Sequence, residues 1–122
     1  MSHLRERAEI FKILSVETRI RMLELLKDRS LCVNALAKHL GISPAAVSQH
    51  LRILRNAGAV VPEKRGYFVH YRLKRETLEL WSERIQEILR LSPAEEKPLR
   101  NSRNRGNTAP EWNIGKDGKE NS

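Results

Sequence analysis

The sequence predicts a mainly α-helical domain that carries one β-hairpin and is followed by a disordered tail. Apolar residues recur at helical spacing in five segments between residues 4 and 91. Between residues 59 and 73 the pattern changes to the alternation that is typical of paired strands. After Pro93 the composition shifts to Asn, Gly, Ser and charged residues, with almost nothing to bury. We therefore expect a folded domain over residues 1–91 and disorder over 92–122.

Two helices open the predicted domain. In the first, apolar residues from Leu4 to Leu14 are spaced along one helix face. The second runs over residues 17–27 and is apolar on a wide face that includes Ile20. This width predicts a central position for the second helix.

A short helix, a three-residue turn and a capped helix come next. Residues 33–40 are predicted to be helical, and Gly41 stands where the turn 41–43 requires a positive φ. The following helix is predicted over residues 44–57, and its start and stop signals are Ser43, Pro44 and Gly58. Together these elements make the helix-turn-helix pattern.

The helix at 44–57 has two chemically different faces. Val47, Leu51 and Leu54 form an apolar stripe that has to be buried. The opposite face carries short polar groups, amides and arginines, namely Ala45, Ser48, Gln49, Arg52, Arg55 and Asn56. No acidic residue lies on it, so it is suited to an anionic partner.

A hairpin and a terminal helix complete the domain. The hairpin, residues 59–73, has a basic tip around Gly66 and contains Pro62, which is tolerated on an edge strand or near a strand end. Helical spacing returns over residues 75–91, where the apolar positions are Leu78, Trp81, Ile85 and Ile88. Pro93 ends the pattern.

The positive charge is concentrated in one segment. The chain has a net charge of +8, and residues 38–75 hold eight Lys or Arg against one acidic residue, Glu63. A solvated basic face that aids solubility is the simplest interpretation. Its position around the helix at 44–57 favours a polyanion, because phosphate backbones reward clustered cations through counterion release.

Other classes of protein are disfavoured. No apolar run approaches the roughly 18 residues of a membrane span, and the N-terminus lacks the apolar block of a signal peptide. The one cysteine, Cys32, cannot form an internal disulfide. No phosphate-binding glycine loop, activated nucleophile or carboxylate pair is present. We therefore expect a cytoplasmic protein that is not an enzyme, binds no cofactor and has no membrane partner.

The order of elements resembles the winged helix-turn-helix of the ArsR/SmtB family of bacterial repressors. SVETRIRMLELL resembles the family's second helix, SLCVNALAKHLGISPAAVSQHLRILRNAGAVV its DNA-binding core and KRGYFVHYRL its wing. The resemblance covers about residues 5–91. It implies a mainly α fold with a β-hairpin wing, and a dimeric repressor that binds double-stranded DNA. A twofold dimer presents two recognition helices about one DNA turn apart, so we expect an imperfectly palindromic operator.

The resemblance implies that the helix at 44–57 lies in the major groove and that the wing lies beside it on the DNA. We expect DNA contacts from Ser43, Ala45, Ser48, Gln49, His50, Arg52, Arg55, Lys64 and Arg65. Ser48 and Gln49 suit base edges, whereas Ser43 and Arg52 are positioned for phosphates or base edges. For His50, packing with a hydrogen bond to backbone is the alternative to a phosphate contact. For Lys64 and Arg65, simple solvent exposure is the alternative.

The first and last helices are predicted to form the homodimer that the resemblance implies. Their interface positions are Leu4, Ala8, Phe11, Leu78, Trp81, Ile85 and Ile88. Packing of the last helix onto the chain's own core is the alternative that the spacing leaves open.

The metal chemistry of the family is not expected here. Arsenic- and cadmium-sensing members carry Cys-Val-Cys at the start of the third helix, where this chain has Cys32, Val33 and Asn34. Zinc-sensing members use histidines on the terminal helix, and residues 75–91 contain none. We expect no bound metal, and a packed rather than redox-active Cys32. The effector is left unidentified.

A second class of function is a protein-interaction module. In that case the winged helix would dimerise or dock a partner, and its basic face would meet an acidic protein surface. Ser48 and Gln49 beside arginine suit base edges better than such a surface. The sequence thus favours a DNA-binding regulator.

Overall fold

The computed structural model describes residues 2–91 of the chain. Over that range the chain forms five helices and one three-stranded antiparallel sheet. The helices are α1 (Ser2–Leu14), α2 (Glu17–Leu25), α3 (Val33–Leu40), α4 (Pro44–Asn56) and α5 (Arg75–Leu89), and the strands are β1 (Leu31–Cys32), β2 (Val60–Arg65) and β3 (Phe68–Leu73). The predicted fold class, mainly α with a β-hairpin wing, is confirmed. The predicted disorder of 92–122 lies outside the described residues.

The turn between α3 and α4 follows the predicted glycine and capping chemistry. Gly41 ends α3 with φ of 69°, and its N–H donates to the carbonyl of Ala37 over 2.8 Å. The Ser43 hydroxyl oxygen accepts a hydrogen bond from the backbone N–H of Ala46 at 3.1 Å, and Pro44 is the first residue of α4. These local signals fix where α4 begins.

A glycine also ends α4 and turns the chain toward the wing. Ala57 caps the helix, and Gly58 follows with φ of 80°. The N–H of Gly58 donates to the carbonyl of Arg55, and that of Ala59 to the carbonyl of Leu54, each over 2.9 Å. This pair of bonds satisfies carbonyls that would otherwise lack partners at the helix end.

The wing is the predicted hairpin of β2 and β3, extended by a strand that the sequence did not predict. The strand order is β1-β3-β2, with Leu31 opposite Tyr71 and Val60 opposite Leu73. Because β1 has two residues, it is too short to show an alternating pattern. As predicted for Pro62, its strand lies at an edge of the sheet.

The core joins α2, α3, α4 and the start of β2, and it also includes Ile10 of α1 and Trp81 of α5. Its largest fully buried side chains are Met22, Leu36, Val47, Leu54 and Val60. Burial of each such side chain contributes about 1.5–3 kcal/mol. The stripe predicted on α4 is therefore the inward face of that helix, and its polar face is directed outward.

Three helices end earlier than predicted, and one residue of the apolar face predicted for α2 is exposed. α4 ends at Asn56, one residue before its predicted end. α2 ends at Leu25, and its C-cap residue Leu26 is 2% exposed and packs into the core. α5 ends at Leu89 because the next residue is extended. Ile20 is 44% exposed, so the wide apolar face predicted for α2 is narrower than expected.

Candidate nucleic-acid interface

The outward face of α4 presents the residues predicted to contact DNA. Val47 and Leu54 are 0% exposed and Leu51 is 3% exposed, so this stripe holds the helix against the core. Side chains at Ala45, Ser48, Gln49, Arg52 and Arg55 are all exposed. Ser48 and Gln49 lie one turn before Arg52 on this face. The face thus offers short hydrogen-bonding groups followed by cations.

A groove separates α4 from the wing. It has a volume of about 400 Å³ and is lined by Ser48, Leu51, Arg52, Arg55, Asn56 and Tyr71. Tyr71 was not among the predicted contact residues. The hydroxyl of Tyr71 adds a donor and acceptor to a groove that contains two arginines, Arg52 and Arg55, and no acidic lining residue. α4 and the wing thus form one continuous surface.

Ser43 has a structural role that limits what it can do for a ligand. Its hydroxyl oxygen accepts the N–H of Ala46, so this oxygen is used in capping α4. The hydroxyl hydrogen is still able to donate, and the side chain is exposed at the helix N-terminus. A phosphate oxygen is the acceptor that such a position favours.

His50 lies at the edge of the α4 face and packs against α2. The Arg19 side chain donates through Nε to His50 Nδ1 over 3.4 Å and through Nη1 to the carbonyl of Ile13 over 3.2 Å. Burial, and then the neighbouring charge of Arg19, lower the pKa of His50. The partner is a guanidinium rather than the backbone group expected for a packed histidine. An Nδ1 that accepts a hydrogen bond leaves the neutral ring with its proton on Nε2.

The two basic residues at the wing tip differ in their surroundings. Glu63 accepts hydrogen bonds from Arg72 Nε at 2.9 Å and Arg65 Nη2 at 3.3 Å. These bonds, led by that from Arg72, lower the pKa of the Glu63 carboxyl. Lys64 is exposed and makes no ion pair with any residue between 2 and 91. Alternation along β2 places Lys64 on the same sheet face as Tyr71 and Arg65 on the other.

The tip also carries an aromatic residue that sequence reasoning did not select. Tyr67 follows Gly66, which has φ of 67°, and is 98% exposed. Phe68 beside it is 59% exposed. Both side chains are therefore accessible to another molecule at the wing tip.

The residues predicted for a dimer interface fall into two groups. Leu4 is 62% exposed, Phe11 and Ile88 are each 43% exposed, and Ala8 is also exposed. Trp81 is 7% exposed and lies in the chain's own core, with Leu78 and Ile85 packed against that core. For Trp81, packing within the chain is therefore the role that the structure shows. The interface itself stays a prediction.

The residues near Cys32 do not fit the family's metal chemistry. Cys32 is partly exposed and lies opposite His70, whose Nδ1 is buried without a hydrogen-bond partner in the described part of the chain. Among residues 2–91, no group of three His, Cys, Asp or Glu is arranged to hold a metal ion. Structural and catalytic zinc sites use at least three protein ligands. One thiol and one imidazole fall short of that number.

Comparison with known proteins agrees with the geometry. Residues 17–60 match the family described as "Bacterial regulatory protein, arsR family". The transcriptional repressor SdpR of Bacillus subtilis is 34% identical over 70 residues, which cover 57% of this chain and 78% of SdpR. The arsenical resistance operon repressor of Escherichia coli is 42% identical over 66 residues, 53% of this chain, but this chain spans only 56% of that protein's length.

A crystal structure of a possible transcriptional regulator for arsenical resistance has the same fold. It is 37% identical, with a TM-score of 0.61, over 65% of this chain and 82% of that one. The fold and the α4 face define a DNA-binding transcriptional regulator of the winged helix-turn-helix class. The chain belongs to the arsR family of bacterial regulatory proteins. Within residues 2–91, no helix has the length and apolar character needed to cross a membrane.

Proposed function

We propose that the protein is a cytoplasmic transcriptional repressor that binds an imperfectly palindromic DNA operator as a homodimer. The observation that carries the proposal is the outward face of α4. It is exposed, contains no acidic residue and joins the basic groove beside the wing. SdpR and the Escherichia coli relative are both named as repressors, which supports the same direction of regulation.

In this proposal α4 reads base edges and the flanking groups bind phosphates. Ser48 and Gln49 have the short reach and paired donor and acceptor groups that base edges require. Arg52 and Arg55 follow on the same face and suit phosphates or a guanine edge. Lys64 and Tyr67 at the wing tip extend the contact surface beyond α4. Blocking of a promoter follows from occupation of such a site.

The proposed dimer places α1 and α5 against the same helices of a second copy. Arg84 Nε of α5 donates to Glu6 Oε1 of α1 over 2.9 Å, so the two helices are held together within one chain. Leu4, Phe11 and Ile88 then present exposed apolar groups on that pair of helices. A second copy would bury these groups and bring two α4 helices to one DNA duplex.

Footprinting of the DNA upstream of the protein's own gene tests the proposal. We expect the full chain to protect a region with inverted half-sites about one helical turn apart. A duplex of the same composition in shuffled order is the control, and it should be bound weakly and without discrete protection. Equal binding of both duplexes would contradict the proposal and favour the protein-interaction module.

A further inference from the structure

A cavity that shares no lining residue with the α4 groove has no role in the proposed DNA contacts. Its volume is about 630 Å³, and its walls come from α2, the segment after it, the end of β3 and the start of α5. Small-molecule sites in proteins commonly have volumes of about 300–1,000 Å³. The cavity therefore has the size of a site for a metabolite.

The floor of the cavity is apolar. It consists of four leucines: Leu23 of α2, Leu26 just after that helix, Leu73 of β3 and Leu78 of α5. Leu23 and Leu26 are 7% and 2% exposed, so the core holds them in place. A floor of this kind favours an aliphatic chain or a ring over a small inorganic ion.

The rim of the cavity is cationic. Lys27, Arg29, Arg72 and Arg75 line it, and none of its lining residues is acidic. Arg72 is held by Glu63 at 2.9 Å, whereas the other three make no ion pair among the residues that the structure describes. Asp28 and Glu76 are neighbours in the chain but do not line the cavity. The uncompensated charge favours an anionic head group.

The cavity is separate from the groove proposed for DNA. Tyr71 lines the groove beside α4, and Arg72 lines the cavity. The groove and the cavity have no lining residue in common, so they are distinct sites on the domain. A ligand in the cavity would therefore leave the α4 face open to DNA.

We propose that this cavity binds a small amphiphilic anion, with a carboxylate on the cationic rim and an apolar chain on the leucine floor. This second step rests on the proposed function: the bound anion is the effector that alters DNA binding. The walls of the cavity include β3 of the wing and the first turn of α5. A bound ligand would therefore contact both the wing and a helix of the proposed dimer. An adjoining groove shares Leu23 and Leu78 with the cavity and reaches Trp81, which links the site to the rest of α5.

Calorimetric titration of the full chain with octanoate, in the absence of DNA, tests the binding site. We expect one octanoate per chain, weaker binding of butanoate, and no comparable binding of octyltrimethylammonium. The double variant Arg29→Gln, Arg75→Gln should bind octanoate roughly tenfold more weakly or not at all. The matched variant Arg21→Gln, Arg90→Gln removes the same charge outside the cavity and should retain the affinity of the unmodified protein.

Three results would overturn the assignment. They are no binding of octanoate, binding of inorganic phosphate as tight as that of octanoate, or equal loss of affinity in the two double variants. Thermal unfolding of each variant, followed by circular dichroism, establishes that the comparison is between folded proteins.

The effector role has its own readout. We expect saturating octanoate to change the affinity of the full chain for its upstream duplex, and to leave that of the Arg29→Gln, Arg75→Gln variant unchanged. Unchanged affinity of the unmodified protein would overturn this role. Since the first titration contains no DNA, failure of octanoate binding is distinguishable from failure of DNA binding, which is measured without octanoate.

Discussion

Arg19 of α2 donates a hydrogen bond from Nε to Nδ1 of His50 in α4, over 3.4 Å. The residues are 31 positions apart in the chain, and their contact ties a core helix to the proposed recognition helix. Protonation of His50 would place a second positive charge against the guanidinium and remove the acceptor. Burial and the charge of Arg19 accordingly lower the pKa of His50 from 6.5.

The lowered pKa of His50, caused by burial and then by the charge of Arg19, predicts a loss of stability in mild acid. With its pKa lowered in the folded state, His50 stays neutral while the same residue in the unfolded chain takes up a proton near pH 6.5. The free energy of unfolding should fall as the pH drops through 6.5, and level off below the folded-state pKa. Urea unfolding at about pH 8 and about pH 5.5 measures the change.

A matched pair of variants isolates the contribution of His50. His50→Gln should reduce the difference in the free energy of unfolding between the two pH values. His39→Gln, at an exposed site on α3, should reduce this difference less. An equal effect of both substitutions would show that His50 is not the source of the pH dependence.

Substitutions at two neighbouring wing residues are expected to have opposite effects on DNA affinity. Lys64→Ala should weaken binding to all duplexes alike and reduce the slope of log affinity against log salt by about one unit. Glu63→Gln removes the carboxylate that holds Arg65 and Arg72, so it should tighten binding and steepen that slope. Fluorescence anisotropy over a range of salt concentrations measures both. Lys12→Ala, at an exposed site on α1, is the control, and a slope that stays constant in all variants would place the wing away from DNA.

Substitution of an exposed apolar residue of α1 is expected to dissociate the proposed dimer. Phe11→Glu places a charge in the proposed interface, so sedimentation equilibrium should show a shift from dimer to monomer with native helicity. Leu80→Glu is the control, because Leu80 is 38% exposed on α5 but lies outside the predicted stripe. Trp81→Ala should instead lower the free energy of unfolding by about 3–5 kcal/mol through loss of core packing. A native-like Phe11→Glu dimer would contradict the proposed interface.

The single thiol predicts weak binding of soft metals. Cadmium should bind the unmodified protein weakly, because one thiolate at Cys32 supplies too few ligands. Asn34→Cys adds a second thiolate at an exposed position two residues further on and should raise the affinity. Thiolate charge-transfer absorbance during a cadmium titration measures both proteins, with Cys32→Ser as the blank. A tight stoichiometric site in the unmodified protein would show that other ligands contribute.

Local chemistry made much of the fold predictable. Gly41, Ser43 and Pro44 fixed the start of α4, and the spacing of Val47, Leu51 and Leu54 identified its buried face. The two-residue strand β1 escaped prediction because it has no periodicity of its own and forms only by pairing with β3. The contact of Arg19 with His50, and the place of Tyr71 in the groove, depend on how distant elements pack. Such tertiary relationships leave no local signal in one sequence.

The central claim is that Ser48 and Gln49, on the exposed face of α4, read base edges. Competition binding of the upstream duplex against its shuffled counterpart measures this, with the unmodified protein compared with Ser48→Ala and Gln49→Ala. We predict that each variant keeps its fold and its binding to shuffled DNA, and loses about 1–3 kcal/mol of preference for the upstream duplex. An unchanged preference in both variants would contradict the account.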